Sequence, residues 1–528
     1  MVVGDLLREL EIGLAEIVAV VATFLLIRQA WRQVPQWAKP DFLRRWEGED
    51  LESSSSSSNH HLHGGDDDSF SSTKELNSPF VIASKLQEMM HIAKTRCDTA
   101  TPGDLSFRAF LGSFLAVVRL WQELRTNYPH FREEQYHDYE ANRADGIPGR
   151  TVDAQQDDLQ NLFTYMEYSD WAYLEDYNDL RRRLKTHSFD LLRQDLATEP
   201  GRVGHYIALN YERKVVLIGI KGTSHVSDIF TDLVAKSIPQ DLPQSPFDAS
   251  GTGIVVRVHE GIWTAASTLA DDLQEMIRHV FLPGGFRLLL CGHSLGAGTS
   301  CLLGLLLRSR IPALQEKMDR DDGQQEDRLR VVAYATPAVL NFDACVACAP
   351  FCTSVVNNSD IVPRASVSNL VIMNRLLVDV QGKVKGQYSD YYYKIAKNAK
   401  AFYKNLTDLI KSDDETIMSP EEWDAFFDDT HRTTKEVNNL YVPGKVICLY
   451  EKGGDSPDDG KSAKKYGGVV ADGGMKMLRQ MEFASTMVSD HSCSSYYETI
   501  RGFTAQMLGG DNSEDAENSA EPGSKKDN

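Results

Sequence analysis

The chain is 528 residues long, 42% hydrophobic and 25% charged, which is enough apolar material for one large core plus an accessory region and excludes a fibrous or disordered protein. Its formal charge of −20 is spread along the sequence with only a modest concentration in 511–528; this argues against a nucleic-acid partner and in favour of a small or apolar one. The eight cysteines are scattered, several of them (Cys291, Cys301, Cys448) inside apolar runs, a usage that fits buried thiols in a reducing compartment and excludes a disulfide framework.

Residues 1–50 hold the first notable segment, Ile12–Ile27, whose uninterrupted apolar stretch is Ile17–Ile27. At about 1.5 Å per residue it falls short of a ~30 Å hydrocarbon core. Asp5, Glu9 and Glu11 occupy the place where a secretory signal carries positive charge, so a retained membrane anchor is expected instead. Arg28, Arg32, Lys39, Arg44 and Arg45 follow, and this basic flank puts the bulk of a spanning protein on the cytoplasmic side. An amphipathic or buried helix packed on the rest of the chain is the competing reading. Residues 51–78 form a Ser/His/Asp linker too polar to build a core; His60, His61 and His63 are read as solvated.

From 79 to 200 apolar residues recur at helical spacing, as in Phe107–Leu124 and Leu162–Leu174, predicting a helical N-terminal region without obvious chemistry. After Pro200 the texture changes. Gly204–Asn210 and Arg213–Ile220 read as a hairpin, followed by strand-like Ile254–His259, Phe286–Cys291, Leu329–Ala335, Thr353–Asn358 and Lys445–Glu451, with helices such as Trp263–Val280 and Gly296–Arg308 between. Apolar strands alternating with helices predict a mostly parallel central sheet covered on both faces, the α/β-hydrolase plan, over 201–508. Residues 509–528 read as a disordered acidic tail. Cys345, Cys348 and Cys352 have a spacing that invites zinc, but no nearby Cys or His pair completes a ligand set; helix-to-strand packing is preferred and no metal is expected.

The chemistry centres on GHSLG, Gly292–Gly296. Leu288, Leu289 and Leu290 form a strand running into Gly292, while Gly296, Ala297 and Gly298 open a helix, so Ser294 sits on a nucleophile elbow flanked by His293 and Leu295. Small residues two before and two after the serine let strand and helix pass. A serine hydroxyl is a weak nucleophile and needs a base and a group that orients the base, in the chain order Ser, acid, His. Asp360 follows a strand in NNSDIVPR, with Asp343, Asp379 and Asp390 as rivals in weaker contexts. His491 alone combines the right order with a loop beyond the strand Lys445–Glu451, whereas His225 and His259 precede the nucleophile. Its neighbour Asp490 is a competing orienter, though a sequence neighbour seldom reaches the imidazole. The oxyanion hole needs two backbone N–H groups, one from Leu295 and one sought after the strand ending at Ile220, where Gly222 permits a turn and Thr223 presents its N–H.

Taken together, KGTSHVSDIFTDL, VHEGIWTAA, LCGHSLGAG, YATPAVL, NNSDIVPR, YVPGKV and DHSCSSYY resemble the class 3 lipases, the fungal-lipase-like α/β hydrolases, and within them the sn-1-specific diacylglycerol lipase-like subgroup. The resemblance spans Gly204 to about Phe503. It implies Ser294, Asp360 and His491 as triad, Thr223 and Leu295 as oxyanion residues, no cofactor, a glycerolipid substrate at a membrane surface, and a lid over Ser224–Pro239 carrying Val226, Ile229, Phe230 and Leu233. Lys221 stands where the family often has Arg, and Ala297 where a second Gly is common. The single apolar anchor resembles that of the largely soluble members and not the multi-span animal ones.

One insertion, Lys394–Lys411, has lysines near helical spacing opposite an apolar stripe of Ile395, Phe402, Leu406, Leu409 and Ile410. Such a helix can contact anionic lipid or calmodulin; a surface helix with solvated lysines is the plainer alternative. The expected activity is therefore ester hydrolysis of acylglycerols, diacylglycerol first. The alternatives are phospholipase A1 or galactolipase action on the same site, or a catalytically silent lipid- or calmodulin-binding scaffold.

Overall fold

The computed structural model describes residues 79–509 except 97–109, 138–145, 197–200, 224–235, 248–253, 320–324, 385–418, 434–438, 453–463 and scattered positions in 111–129 and at 154, 156 and 485. All described residues fall in one compact unit, Asp67–Gly386 with Asp414–Asn528. The anchor segment, the linker, the four lid residues, the basic insertion, Asp390, His225 and the acidic tail lie outside the described residues.

Thirteen strands are named in chain order: β1 Arg150–Thr151, β2 Asp190–Asp195, β3 His205–Asn210, β4 Val215–Ile220, β5 Ser237–Gln240, β6 Val256–His259, β7 Arg287–His293, β8 Lys317–Asp319, β9 Gln325–Asp327, β10 Leu329–Tyr334, β11 Cys352–Asn357, β12 Lys445–Glu451 and β13 Tyr466–Ala471. Nine of them build one sheet in the order β1-β13-β12-β11-β10-β7-β4-β3-β2. Its centre, β4, β7, β10, β11 and β12, is parallel, while β3 and β2 at one edge and β13 and β1 at the other run antiparallel.

Period-two alternation assigns each strand's residues to two cores. Val216, Ile218, Ile220, Leu288 and Leu290 face the helices α5 (Glu260–Met276) and α6 (Leu295–Arg310). Val215, Leu217, Leu289 and Cys291 face α3 (Leu159–Asp170) and the C-terminal helix α10 (Cys493–Gly509) through Leu162, Met166, Tyr496 and Phe503. Because both faces are covered, these strands read as unbroken apolar runs, and each fully buried Leu contributes roughly 1.5–3 kcal/mol. Further helices among the described residues include α1 (Pro79–Arg96), α2 (Phe131–His137), α4 (Tyr177–Thr186), α7 (Phe342–Ala347), α8 (Val367–Val384) and α9 (Pro420–Thr433).

Three sequence expectations are corrected. The region 79–200 is not purely helical: it supplies β1 and β2, and α3 packs directly on the sheet. The strand at 254–259 does not join the main sheet. It pairs antiparallel with β5, and its burial alternates, Val256 and Val258 inside and Arg257 half out, as suits a ribbon with one covered face. That pairing also makes the end of the expected lid, Ser237–Pro239, part of a strand. The hairpin β3–β4 forms as expected, its turn closed by Asn210 Oδ1 accepting from the Arg213 N–H at 2.8 Å. No helix among the described residues is long and apolar enough to cross a membrane.

Candidate active site

The parallel strands β4, β7 and β11 end on the same edge of the sheet, and each delivers one part of the site there. After β7 the chain turns at Ser294, which adopts φ 60° and ψ −128°, a left-handed conformation costly for a non-glycine residue. The Ser294 N–H donates to the Tyr334 carbonyl (2.9 Å), and the Ser294 carbonyl accepts from the amides of Ala297 and Gly298 at 2.9 and 3.2 Å. The turn closes only because of its glycines: a Cβ on Gly296 would collide with the Ile220 carbonyl, and one on Gly292 with the Gly296 carbonyl. Serine is thereby held at the N-terminus of α6, where the helix dipole favours negative charge.

Asp360 lies three residues past β11, fully buried. His491 closes the single helical turn Ser489–His491, before α10. The structure brings both to Ser294. His491 Nε2 stands 3.0 Å from Ser294 Oγ, and His491 Nδ1 stands 3.0 and 3.2 Å from the two oxygens of Asp360. A carboxylate only accepts, so Nδ1 carries the proton and Nε2 is left to accept from the serine hydroxyl. Burial pushes the Asp360 carboxyl up, but attraction to His491 and donors from His491, the Val362 amide and Tyr496 together hold it below the ordinary carboxylate range.

Gly222 presses against the elbow, since a Cβ there would meet the His293 carbonyl and Ser294 Cβ, and Thr223 follows it directly; Leu295 begins α6 on the other side. The rivals are elsewhere. Asp343 and Asp379 are exposed on α7 and α8. Asp490 turns its carboxylate away from the imidazole, accepting from the Ser359 amide (3.2 Å) and the Thr486 hydroxyl (2.8 Å). His259 caps α5, its Nδ1 accepting from the Ile262 amide at 3.3 Å. Cys345, Cys348 and Cys352 pack as buried thiols at the junction of α7 and β11, and Cys352 Sγ lies 3.5 Å from Cys301 Sγ.

Several supporting residues carry no sequence signal of their own. The Tyr496 hydroxyl donates to Asp360 Oδ2 at 2.8 Å, and its position five residues after His491 in DHSCSSYY was the only hint. His293 Nε2 lies 2.8 Å from the His491 carbonyl, so it carries a proton, and its Nδ1 accepts from the Tyr173 hydroxyl at 3.1 Å. Burial, reinforced by His491, drives the His293 imidazole down to about 3, so it stays neutral. Behind Asp360, the fully buried Glu482 receives Arg132 (2.8 Å), Arg364 (3.2 Å) and the Tyr136 hydroxyl (3.1 Å). The two arginines grip the acid's loop: Arg364 donates to the carbonyls of Asp360 (2.7 Å) and Asn358 (2.8 Å), and Arg132 to the Asn358 side chain (2.9 Å).

A serine at a strained strand-to-helix turn, hydrogen-bonded to a histidine that is itself held by a buried aspartate, on a mixed sheet with a parallel centre, defines an α/β hydrolase. Residues 217–370 match the family model for lipase (class 3), and the similarity to curated proteins runs to diacylglycerol lipases. Human diacylglycerol lipase-alpha is 33% identical over 184 residues, 33% of this chain and 16% of that protein. Mouse diacylglycerol lipase-beta is 26% identical over 178 residues, 33% of this chain and 23% of that one. The chain thus spans under a quarter of the length of these curated relatives. Among solved structures, the Rhizomucor miehei lipase propeptide complex aligns over 65% of this chain and 81% of its own at 14% identity and a TM-score of 0.35. The Lip2 lipase from Yarrowia lipolytica aligns over 42% and 78% at 16% identity and a TM-score of 0.32.

Proposed function

We propose that this protein is a serine lipase that hydrolyses acyl ester bonds of glycerolipids, with diacylglycerol cleaved at sn-1 as its first substrate. The observation that carries the reading is the Ser294–His491–Asp360 chain of hydrogen bonds at 3.0 Å per link, on the edge where the sheet's parallel strands end. His491 Nε2 takes the proton of Ser294 Oγ as the hydroxyl attacks the ester carbonyl, and Asp360 holds the imidazolium that forms. The amides of Leu295 and Thr223 hold the oxyanion. The alcohol leaves with the proton returned by His491, and water releases the fatty acid from the acyl-enzyme by the same base. The matched class 3 lipase segment and the similarity to diacylglycerol lipases support a lipid ester as substrate. Membrane attachment through Ile12–Ile27 with the catalytic part on the cytoplasmic side, and an apolar lid over 224–236, ahead of β5, complete the reading.

The test uses the full chain and Ser294→Ala with a fluorophosphonate probe and with vesicles of diacylglycerol, triacylglycerol, phospholipid or galactolipid. The variant should lose labelling and about 10³-fold or more in hydrolysis. Equal labelling of the two proteins removes Ser294 as nucleophile. Turnover confined to phospholipid or galactolipid moves the activity to phospholipase A1 or galactolipase, and a wild-type chain that neither labels nor turns over is a binding scaffold.

A further inference from the structure

The acid and the base come from segments 131 residues apart, and their 3.0 Å contact needs something to hold those segments in register. Asp490, the residue before the base, does this by gripping the residue before the acid. Its Oδ2 accepts from the Ser359 amide at 3.2 Å, and its main-chain carbonyl accepts from Asn357 Nδ2 at 2.9 Å. Thr486 Oγ1 donates to the same Oδ2 at 2.8 Å, from the stretch of chain leading into the base's turn. Asp490 is 5% exposed, and its carboxyl makes no ion pair within salt-bridge distance among the described residues.

We propose that Asp490 is a positioning residue, a clamp between the loop bearing Asp360 and the turn bearing His491, and that protonating its carboxyl loosens the clamp. The inference rests on the triad reading above. A carboxylate holds both donors on Oδ2 by charge-assisted hydrogen bonds, whereas a neutral carboxylic acid accepts from them more weakly. Arg132 attracts the charge and Glu482 repels it, both from the buried network behind the loop; Arg125 attracts it from the N-terminal region. A cavity of about 270 Å³ opens beside it, walled by Arg125, Arg132, Lys464, Glu451 and Glu498, and gives water and protons a route to the carboxyl. Burial, opposed by the Thr486 and Ser359 donors, lifts Asp490 to about 6. The sign follows: the clamp is complete above that pH and is lost as pH falls through it.

The experiment measures kcat and KM against pH for a water-soluble short-chain ester, with the full chain, Asp490→Asn and Thr486→Val. Wild type should show an acid limb with an extra step of roughly tenfold near pH 6. In Asp490→Asn that step should vanish, with kcat lowered about tenfold across the range and KM changed less than about twofold. Thr486→Val removes a donor to the charged form and should move the step to higher pH, which keeps the test sharp if Asp490→Asn does not fold. A merely structural role would lower activity equally at every pH. Retention of the step in Asp490→Asn, or an unmoved step in Thr486→Val, overturns the inference. If Ser294→Ala stays active, the triad reading itself has failed; if Ser294→Ala is dead and both profiles are unchanged, only the clamp has.

Discussion

At the scale of single residues, the site is a set of groups whose protonation is fixed by what surrounds them. Asp360 stays charged in a fully buried position because its lone pairs meet N–H and O–H donors, and Tyr496 is the one donor among them that neither catalysis nor the backbone supplies. Tyr496→Phe removes that donor and also the acceptor of the Asn357 amide (3.1 Å). A hydrogen bond to a charged group is worth about 1.5–3 kcal/mol, so kcat should fall roughly 10- to 100-fold with KM little changed, measured on the soluble ester alongside the fluorophosphonate labelling rate. Unchanged kcat would mean that Asp360 needs only His491. Ser294, Asp360 and His491, which the fold joins by hydrogen bonds, could be singled out in the sequence because chain order and strand context restrict the choice so strongly. Tyr496 and Tyr173 could not, since a tyrosine at helical spacing is ordinary core, and only the fold reveals what its hydroxyl reaches.

At the scale of elements, the elbow depends on close backbone approach. Gly296 packs its Cα against the end of β4 so tightly that any Cβ would collide with the Ile220 carbonyl. Gly296→Ala should therefore lower the melting temperature, at a cost of about 1–3 kcal/mol or more, and abolish labelling even at temperatures where the fold persists, because the turn must move Ser294 to make room. A variant that labels at the wild-type rate would show that the strand and helix can separate without cost. The central strands were legible because a doubly covered strand is a short apolar run. β13, with Gly467 and Gly468 inside it, and β2, written DLLRQD, lacked that texture and went unread, although β3 was legible as half of a hairpin. The ribbon strand β6 was misassigned for the opposite reason: its valines are genuinely buried, and only the intervening Arg257 marked it as covered on one face.

For the whole molecule, the Arg132–Glu482–Arg364 cluster joins three distant stretches: α2 of the N-terminal region, the acid loop, and the segment before His491. Removing one partner of a buried ion pair leaves its mates uncompensated, so Glu482→Gln should cost about 3–5 kcal/mol in denaturant unfolding. Burial alone would raise the Glu482 carboxyl, but Arg132, Arg364 and Arg125 pull it from 4.5 to about 2. Its contribution is thus complete above about 4.5 and is lost as pH falls through about 2, and the variant should lack that part of the acid unfolding transition. A wild-type unfolding midpoint in Glu482→Gln would make the cluster dispensable.

The two edge strands β1 and β2 come from before residue 200, on opposite sides of a sheet whose catalytic strands all come later. Exposed sheet edges invite pairing with other chains. The stretch that matches the class 3 lipase family model, 217–370, is therefore not a transplantable module. A gene fusion or exon shuffle that carried it alone would deliver Ser294 and Asp360 without the histidine that joins them, since His491 stays behind, and a sheet open on both sides. Any recombination event that moves this site intact has to move the flanks with it.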